Sequence, residues 1–398
     1  MADSSTSMTA LPTRIDRYPA KMISHLAERL IADYASGATR VLDPFCGSGA
    51  VLRAATAKCV PVTGVDINPF GVLMSGVKVE GFDTNRSLTL LEDVLSESRD
   101  AQPLPMKWDM RAYWYTPATL HKLEAIRSVA IERHLHTSKS GRAVLLSLGL
   151  AARLCSRADQ RSPKPFISKT ARERRSGRHF DPGCIMRHLM DDLCDLYGGR
   201  RDVSGEVLSC DIGQCHEIGG IAAKCSHVIT SPPYINAQDY FRNSKLELYL
   251  LEGVLPFSVE DVRSRFIGSE RGLDRSVVDD DLAATHRTMV PQLTYLERNR
   301  VELAVIVHTY LKRMSTAFKA IKRAMRPGGT FVIVCGDNLI GGRRIITWKV
   351  LNEMLDNLGF TLFDSFEDTI KNRALAPSRC GHKGLIKQEV VSAFRLDC

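Results

Sequence analysis

Val41-Leu42-Asp43-Pro44-Phe45-Cys46-Gly47-Ser48-Gly49 carries a short apolar run into a loop with two glycines, and a helical pattern begins at about Ala50. The run is the length and composition of a buried strand. Gly47 and Gly49 allow a tight turn and a close backbone approach to a ligand, which a side chain at either position would block. A second apolar run, Val62-Thr63-Gly64-Val65-Asp66, follows and ends in an acid 23 positions after Asp43. Strand, glycine loop, helix, strand and acid together predict an α/β fold with a parallel sheet.

In dinucleotide-binding folds an acid about 20 residues after the glycine loop bonds ribose hydroxyls. The loop here is Gly-Ser-Gly and lacks the third glycine of that fingerprint. With Asp43 at the tip of the first strand, this disfavours NAD. It fits S-adenosylmethionine, whose ribose and amino-acid ends need carboxylates and backbone groups and no pyrophosphate cradle. Far downstream, His227-Val228-Ile229 leads into Thr230-Ser231-Pro232-Pro233-Tyr234. Neither proline donates a backbone N–H, so this loop leaves the sheet ladder with its carbonyls free to accept. A hydroxyl, a carbonyl and an aromatic ring at one strand tip suit the exocyclic amine of a flat base.

These three stretches resemble the cofactor and catalytic motifs of the DNA amino-methyltransferases: Asp43 to Gly49, Val65-Asp66-Ile67-Asn68-Pro69, and Thr230 to Tyr234. The Ser-Pro-Pro-Tyr form is closer to the cytosine-N4 branch than to the adenine-N6 branch, which usually begins with Asp or Asn. Arg17-Tyr18-Pro19-Ala20-Lys21-Met22 is similar to the segment that packs over the methionine end of the cofactor in that family. The continuation from Asn236 to Leu248 is also similar to family sequence. The motifs cover roughly residues 14–80, 205–250 and 300–396. The resemblance implies S-adenosylmethionine held by Lys21, Asp43, Phe45, Gly47, Gly49, Asp66, Ile67 and Asp211, the last near the adenine ring. It implies catalysis by Ser231, Pro232, Pro233 and Tyr234 on a base swung out of duplex DNA. A sequence-specific enzyme of a restriction–modification system is then expected, with a cognate restriction endonuclease as a functional partner only.

Charge agrees with a polyanionic partner. Nine Lys/Arg against two acids fall between Ala151 and Phe180, a local excess of seven in a chain of net charge +9. Such clustering neutralises phosphates; a solvated basic loop is the plainer reading. Arg157, Arg161, Lys164, Lys169, Arg172, Arg174 and Arg175 are therefore the candidate nucleic-acid contacts, on a loop that Pro163 and Pro165 would keep open until binding orders it. No apolar run approaches the roughly 20 residues of a bilayer span, and no membrane partner is expected. Met1 to Ala10 is Ser/Thr-rich and lacks the basic-then-apolar order of a signal peptide. Eleven cysteines are an odd number in a long chain, which favours reduced cytosolic thiols; the resemblance implies a cytoplasmic, prokaryotic, nucleoid-associated location. His179, Cys184, His188 and Cys194 lack the usual ligand spacing, Cys210, Cys215 and Cys225 do no better, and no metal is expected. Cys46 reads as a small buried thiol.

Periodicity completes the outline. Thr116-Pro117 opens a helix with Leu120, Leu123, Ile126 and Val129 on one face, and Ala143 to Leu154 predicts another. The sheet resumes at Glu206-Val207-Leu208. One long helix is predicted from Glu297 to Met325, stopped at Arg326-Pro327-Gly328-Gly329, then a strand over Thr330–Cys335, a helix near Thr347–Leu358 and an antiparallel pair near Thr361–Phe366 and Val390–Arg395. The expectation is a seven-stranded Rossmann-like methyltransferase sheet, formed by 1–84 and 205–398 as two halves of one catalytic domain. Residues 85–204 form a mainly helical, basic insertion, the first choice for target recognition, with 256–294 as a second. Transfer is expected by direct in-line displacement. A cytosine-C5 enzyme would need a nucleophilic cysteine, typically in a Pro-Cys pair, and the chain contains none. Adenine-N6 methylation, RNA base methylation and a silent nucleic-acid-binding module are the alternatives.

Overall fold

The protein is described by a computed structural model at residues 15, 18, 21–162, 164–175, 180–199, 204–215, 225–235, 240–268, 273, 288–369 and 388–397. The chain divides into two compact units. One comprises residues 19–79, 202–243 and 257–398; the other comprises 1–18, 80–201 and 244–256.

Along the chain, α1 (Ser24–Tyr34), β1 (Val41–Asp43), α2 (Ala50–Thr56), β2 (Val62–Asp66) and α3 (Pro69–Glu80) come first. The helical unit follows with α4 (Thr84–Glu97), α5 (Arg111–Trp114), α6 (Pro117–Glu132), α7 (Lys139–Cys155), α8 (Lys169–Arg175) and α9 (Pro182–Tyr197). Helices α4, α6, α7 and α9 start where side chains can satisfy their first N–H groups. Asp83 accepts from Arg86, Thr116 from Thr119, Ser138 from Gly141 and Asp181 from Cys184. Proline at the first position of α6 and of α9 removes an N–H that would have had no partner. The chain then continues through β3 (Gly205–Ser209), β4 (Cys225–Thr230), α10 (Tyr240–Leu251), α11 (Val259–Arg265), α12 (Val290–Asn299), α13 (Val301–Ala324) and β5 (Met325–Gly336). The last elements are β6 (Asn338–Ile340), β7 (Arg343–Ile345), α14 (Thr347–Asp356), β8 (Phe360–Thr369) and β9 (Gln388–Leu396).

Seven strands form one sheet in the order β3-β2-β1-β4-β5-β9-β8. Every pairing is parallel except the two made by β9, so β9 alone runs backwards. Both faces are covered, and the strands alternate accordingly. Leu42, Val228, Phe331, Ile333 and Phe394 face one core with α13 and α14; Val41, Val62, Ile229, Val332, Val334 and Val391 face the other with α1 and α2. This is the expected Rossmann-like sheet. Because the main strands are parallel, their C-terminal ends share one edge. Asp43 and Asp66 are the last residues of β1 and β2, and Asp211 and Ser231 follow the ends of β3 and β4. The strand order reverses between β1 and β4, the kind of crevice where open α/β sheets bind ligands.

Three expectations need correction. The single helix over Glu297–Met325 is two helices, α12 and α13, broken at Arg300, whose backbone (φ −151°, ψ 61°) leaves the helical region. Part of the basic loop is already helical, as α8; Pro163 lies outside the described residues. Cys210 and Cys215 are joined by a disulfide, where reduced thiols were expected. The turn after β3 brings their Cα atoms to 5.8 Å, within the range a disulfide spans.

Candidate active site

At the tip of β1 the backbone takes left-handed conformations at Gly47 (φ +47°) and Gly49 (φ +79°). Gly49 N–H donates to Cys46 O at 2.7 Å, and Gly49 O accepts the first bond of α2 from Arg53. A Cβ on Gly49 would lie 2.9 Å from Ser75 Cβ and 3.2 Å from Ser75 Cα on α3. The loop is therefore pressed directly on a helix. Buried Lys78, also on α3, donates from Nζ to Ser48 O at 2.9 Å and holds the loop from below. Phe45 is half-buried, packed against the core.

Asp66 Oδ2 accepts Gly47 N–H at 2.7 Å and Oδ1 accepts Asn68 N–H at 2.8 Å. Asp66 thus organises the glycine loop and opens the turn into α3, with half-buried Ile67 beside it. Its carboxyl is raised to about 6, chiefly by burial, with the amide donors of Asn68, Gly47 and Ile67 acting in the other direction. Asp211, after β3, accepts Gly213 N–H at 2.9 Å on the turn closed by the disulfide. Lys21 is half-buried just ahead of α1; Arg17, Pro19 and Ala20 lie outside the described residues.

Asp43 is 3% exposed, and one of its oxygens serves two loops. Oδ1 accepts Phe45 N–H at 3.2 Å from the glycine loop and the Thr230 hydroxyl at 2.7 Å from the start of the Ser-Pro-Pro-Tyr loop. Burial raises its carboxyl to about 7. An unfolded Asp titrates near 4. Between those values the folded state keeps a proton that the unfolded chain has lost. The contribution is therefore full below about pH 4 and declines as pH rises through about 7. Asp43→Asn keeps an oxygen for both donors and removes the titration. Its thermal stability relative to wild type should thus improve from pH 5 to pH 8, by up to about 1 kcal/mol per pH unit. A stability difference constant across that range, followed by thermal unfolding, would show that Asp43 does not titrate there.

In the Ser231–Tyr234 loop Ser231 and Pro233 are half-buried and Pro232 is buried. Tyr234 is 4% exposed, packed in the core, and its hydroxyl donates to Glu389 Oε1 at 2.6 Å. The chain leaves the loop at Ile235, whose carbonyl accepts from Asn338 Nδ2 at 3.0 Å. Asn338 Oδ1 in turn accepts the Thr347 hydroxyl at 2.8 Å. Tyr240, at the start of α10, has its phenol hydrogen-bonded by the Tyr234 backbone and its pKa raised by burial. Sequence reasoning did not single out Glu389, Asn338, Thr347 or Lys78. Only Asn338 had a signal nearby. Gly341-Gly342, both at positive φ, make a two-residue turn between β6 and β7, a pattern legible as a hairpin.

Within the helical unit, several cations of the basic stretch are bound internally. Arg157 donates to Ala112 O and Tyr113 O at 3.3 and 3.4 Å. Arg161 is bidentate on Asp159, and this pairing holds the Asp159 carboxyl well below the usual range. Lys164 is half-buried, whereas Lys169 and Arg172 are exposed on α8. Arg174 and Arg175 also lie on α8, with side chains outside the description. Among the described residues, no group of three or more His, Cys, Asp or Glu comes together to hold a metal. No described helix is long and apolar enough to cross a membrane.

The fold defines a class first: a Rossmann-like sheet of the methyltransferase kind, with its candidate site at the C-terminal edge. Sequence comparison adds a partial relative. The chain is 29% identical over 86 residues, 22% of its length, to the type II methyltransferase M.MjaII of Methanocaldococcus jannaschii. The match spans only 16% of that protein. The solved rRNA methyltransferase aviRa from Streptomyces viridochromogenes aligns with 96% of this chain and 87% of its own, at 11% identity and a TM-score of 0.30. So loose a superposition adds nothing to the strand order. No protein-family model matches.

Proposed function

We propose that this chain is an S-adenosylmethionine-dependent methyltransferase that modifies the exocyclic amine of a base in DNA, cytosine N4 first, at a specific sequence. One observation supports the reading above the others: a single buried oxygen of Asp43 ties the glycine loop to the Ser-Pro-Pro-Tyr loop. Cofactor loop and acceptor loop are thereby held side by side at one sheet edge.

The residues present fit the cofactor. Gly47 and Gly49 offer backbone without side chains, and Asp66 and Asp211 stand at neighbouring strand tips with lone pairs beyond those their loop amides use. Lys21 would lie toward the methionine end, and Asp43 acts through the two loops it joins. When bound, S-adenosylmethionine supplies an electrophilic methyl group. Ser231 Oγ and the Pro232 carbonyl accept the amine's hydrogens and draw the nitrogen lone pair out of conjugation. Pro233 keeps the loop out of the ladder. Tyr234 supplies the ring for stacking; at 4% exposure it takes that role only when its ring is uncovered. The target base leaves the duplex to reach this pocket, and catalysis rests on positioning and on acceptors placed where positive charge develops. The exposed cations of α8, Lys169 and Arg172, are the first candidates for phosphate contact. A cognate restriction endonuclease would be a partner in function, not in the complex.

The test uses purified protein, labelled S-adenosylmethionine, mixed-sequence duplex DNA and, in parallel, structured RNA, with nucleosides identified by mass and retention. N4-methylcytosine in DNA is the expected product. N6-methyladenine would keep the enzyme class and overturn the base assignment; label in RNA alone would overturn the polymer; cofactor binding with no transfer to either would leave a silent binding module.

A further inference from the structure

We propose that Glu389 and Asn338 are positioning residues for the Ser231–Tyr234 loop, an inference that rests on the methyl-transfer reading of that loop. A loop with two consecutive prolines has no ladder bonds with which to hold its shape. Side chains from elsewhere in the sheet unit hold its two ends. At the entrance, Thr230 is tied to Asp43. At the exit, two ties arrive from distant parts of the sequence: Glu389 takes the Tyr234 hydroxyl, and Asn338 takes the Ile235 carbonyl.

Neither exit tie has room to drift. Glu389 is the second residue of the reversed strand β9, and its backbone is in register with Gly336 at the end of β5 and Asp368 on β8. Asn338 is 5% exposed and its amide is oriented by Thr347, which is 1% exposed and opens α14. The Gly341-Gly342 turn folds β6 back on β7, so Asn338 stands on a hairpin and not on a free loop. Together the ties fix both the main chain and the ring at the loop's end, and with them the direction of the Ser231 hydroxyl and the Pro232 carbonyl. Catalytic groups displaced by about 1 Å can lose about 10²-fold in rate.

The experiment reads the loop and the reaction separately, on the full chain. Hydrogen exchange across residues 228–235 is compared with kcat for methyl transfer and with the cofactor dissociation constant. Glu389→Ala and Asn338→Ala are expected to speed exchange in this segment and lower kcat by about 10- to 100-fold, with cofactor affinity within about twofold of wild type. Glu389→Gln retains an oxygen acceptor for the tyrosine and is expected to rescue kcat to within about threefold. Tyr234→Phe should reproduce Glu389→Ala, and the double variant should be no worse than either, since both remove one interaction. Unchanged exchange in the alanine variants overturns the proposal. So does a lower melting temperature with unchanged kcat, which assigns the bonds to stability alone. If wild type transfers no methyl group to DNA or RNA, the reading of the loop falls, and exchange still decides whether these residues hold it.

Discussion

Replacing Ser231 with alanine is expected to slow methyl transfer at saturating cofactor by about 10²- to 10³-fold, the scale on which one preorganised polar group matters at a reacting centre. On the proposed reading, the hydroxyl is one of the two acceptors that the loop directs at the amine. The other, the Pro232 carbonyl, belongs to the main chain and survives the substitution. The loop should keep its shape, because Thr230 is held by Asp43 and Ile235 by Asn338 whatever stands at 231. Cofactor affinity should therefore move less than about twofold, since the glycine loop, Asp66 and Asp211 are untouched. Single-turnover rates with cofactor binding measured separately give the answer. A rate within threefold of wild type would remove Ser231 from the chemistry.

Gly49→Ala is expected to fail on two counts. A non-glycine residue in the left-handed region costs about 1–2 kcal/mol, and Gly49 sits there at φ +79°. The new methyl would also meet Ser75 Cβ and Cα, atoms of a helix that cannot swing aside as a long side chain can. Overpacking of this kind adds about 1–3 kcal/mol. The total, about 2–5 kcal/mol, would be met by unfolding or by the loop lifting off α3, which removes the amide of Gly47 from Asp66. Either route weakens cofactor binding by at least about tenfold, read by calorimetric titration, and lowers the melting temperature. A variant with wild-type melting and affinity would mean that the loop is not pressed on α3.

How much of this was legible follows from where the information lies. β1, β2, β4 and β5 announce themselves because strands buried on both faces are short continuous apolar runs, and the glycines mark where the first one turns. In the final antiparallel pair only β9 is buried in this way; β8 is a largely exposed edge strand. The break at Arg300 was not: no glycine or proline marks it, and the helical pattern continues on both sides. Nor could α8 be read from a stretch so dense in Lys and Arg. The exit ties of the catalytic loop were hidden for a different reason. Tyr234 and Glu389 are 155 residues apart, and Ile235 and Asn338 are 103. Ile235 and Asn338 are brought together by the pairing of β4 with β5, and Tyr234 and Glu389 by that pairing together with the one between β5 and β9; no local pattern encodes those registers.

The reversed strand also sets a timetable. β9 lies between β5 and β8 and pairs with both, yet its residues follow every other strand of the sheet in the chain. Until 388–396 are made and inserted, β5 and β8 have no shared neighbour and Tyr234 has no Glu389. Domains form during synthesis from the N-terminal side, and pairings between distant segments form late. The glycine loop can be shaped early, while the Ser231–Tyr234 loop gains its last support only as the sheet closes. On the proposed methyl-transfer reading, a nascent chain would gain the Tyr234–Glu389 support of its acceptor loop last.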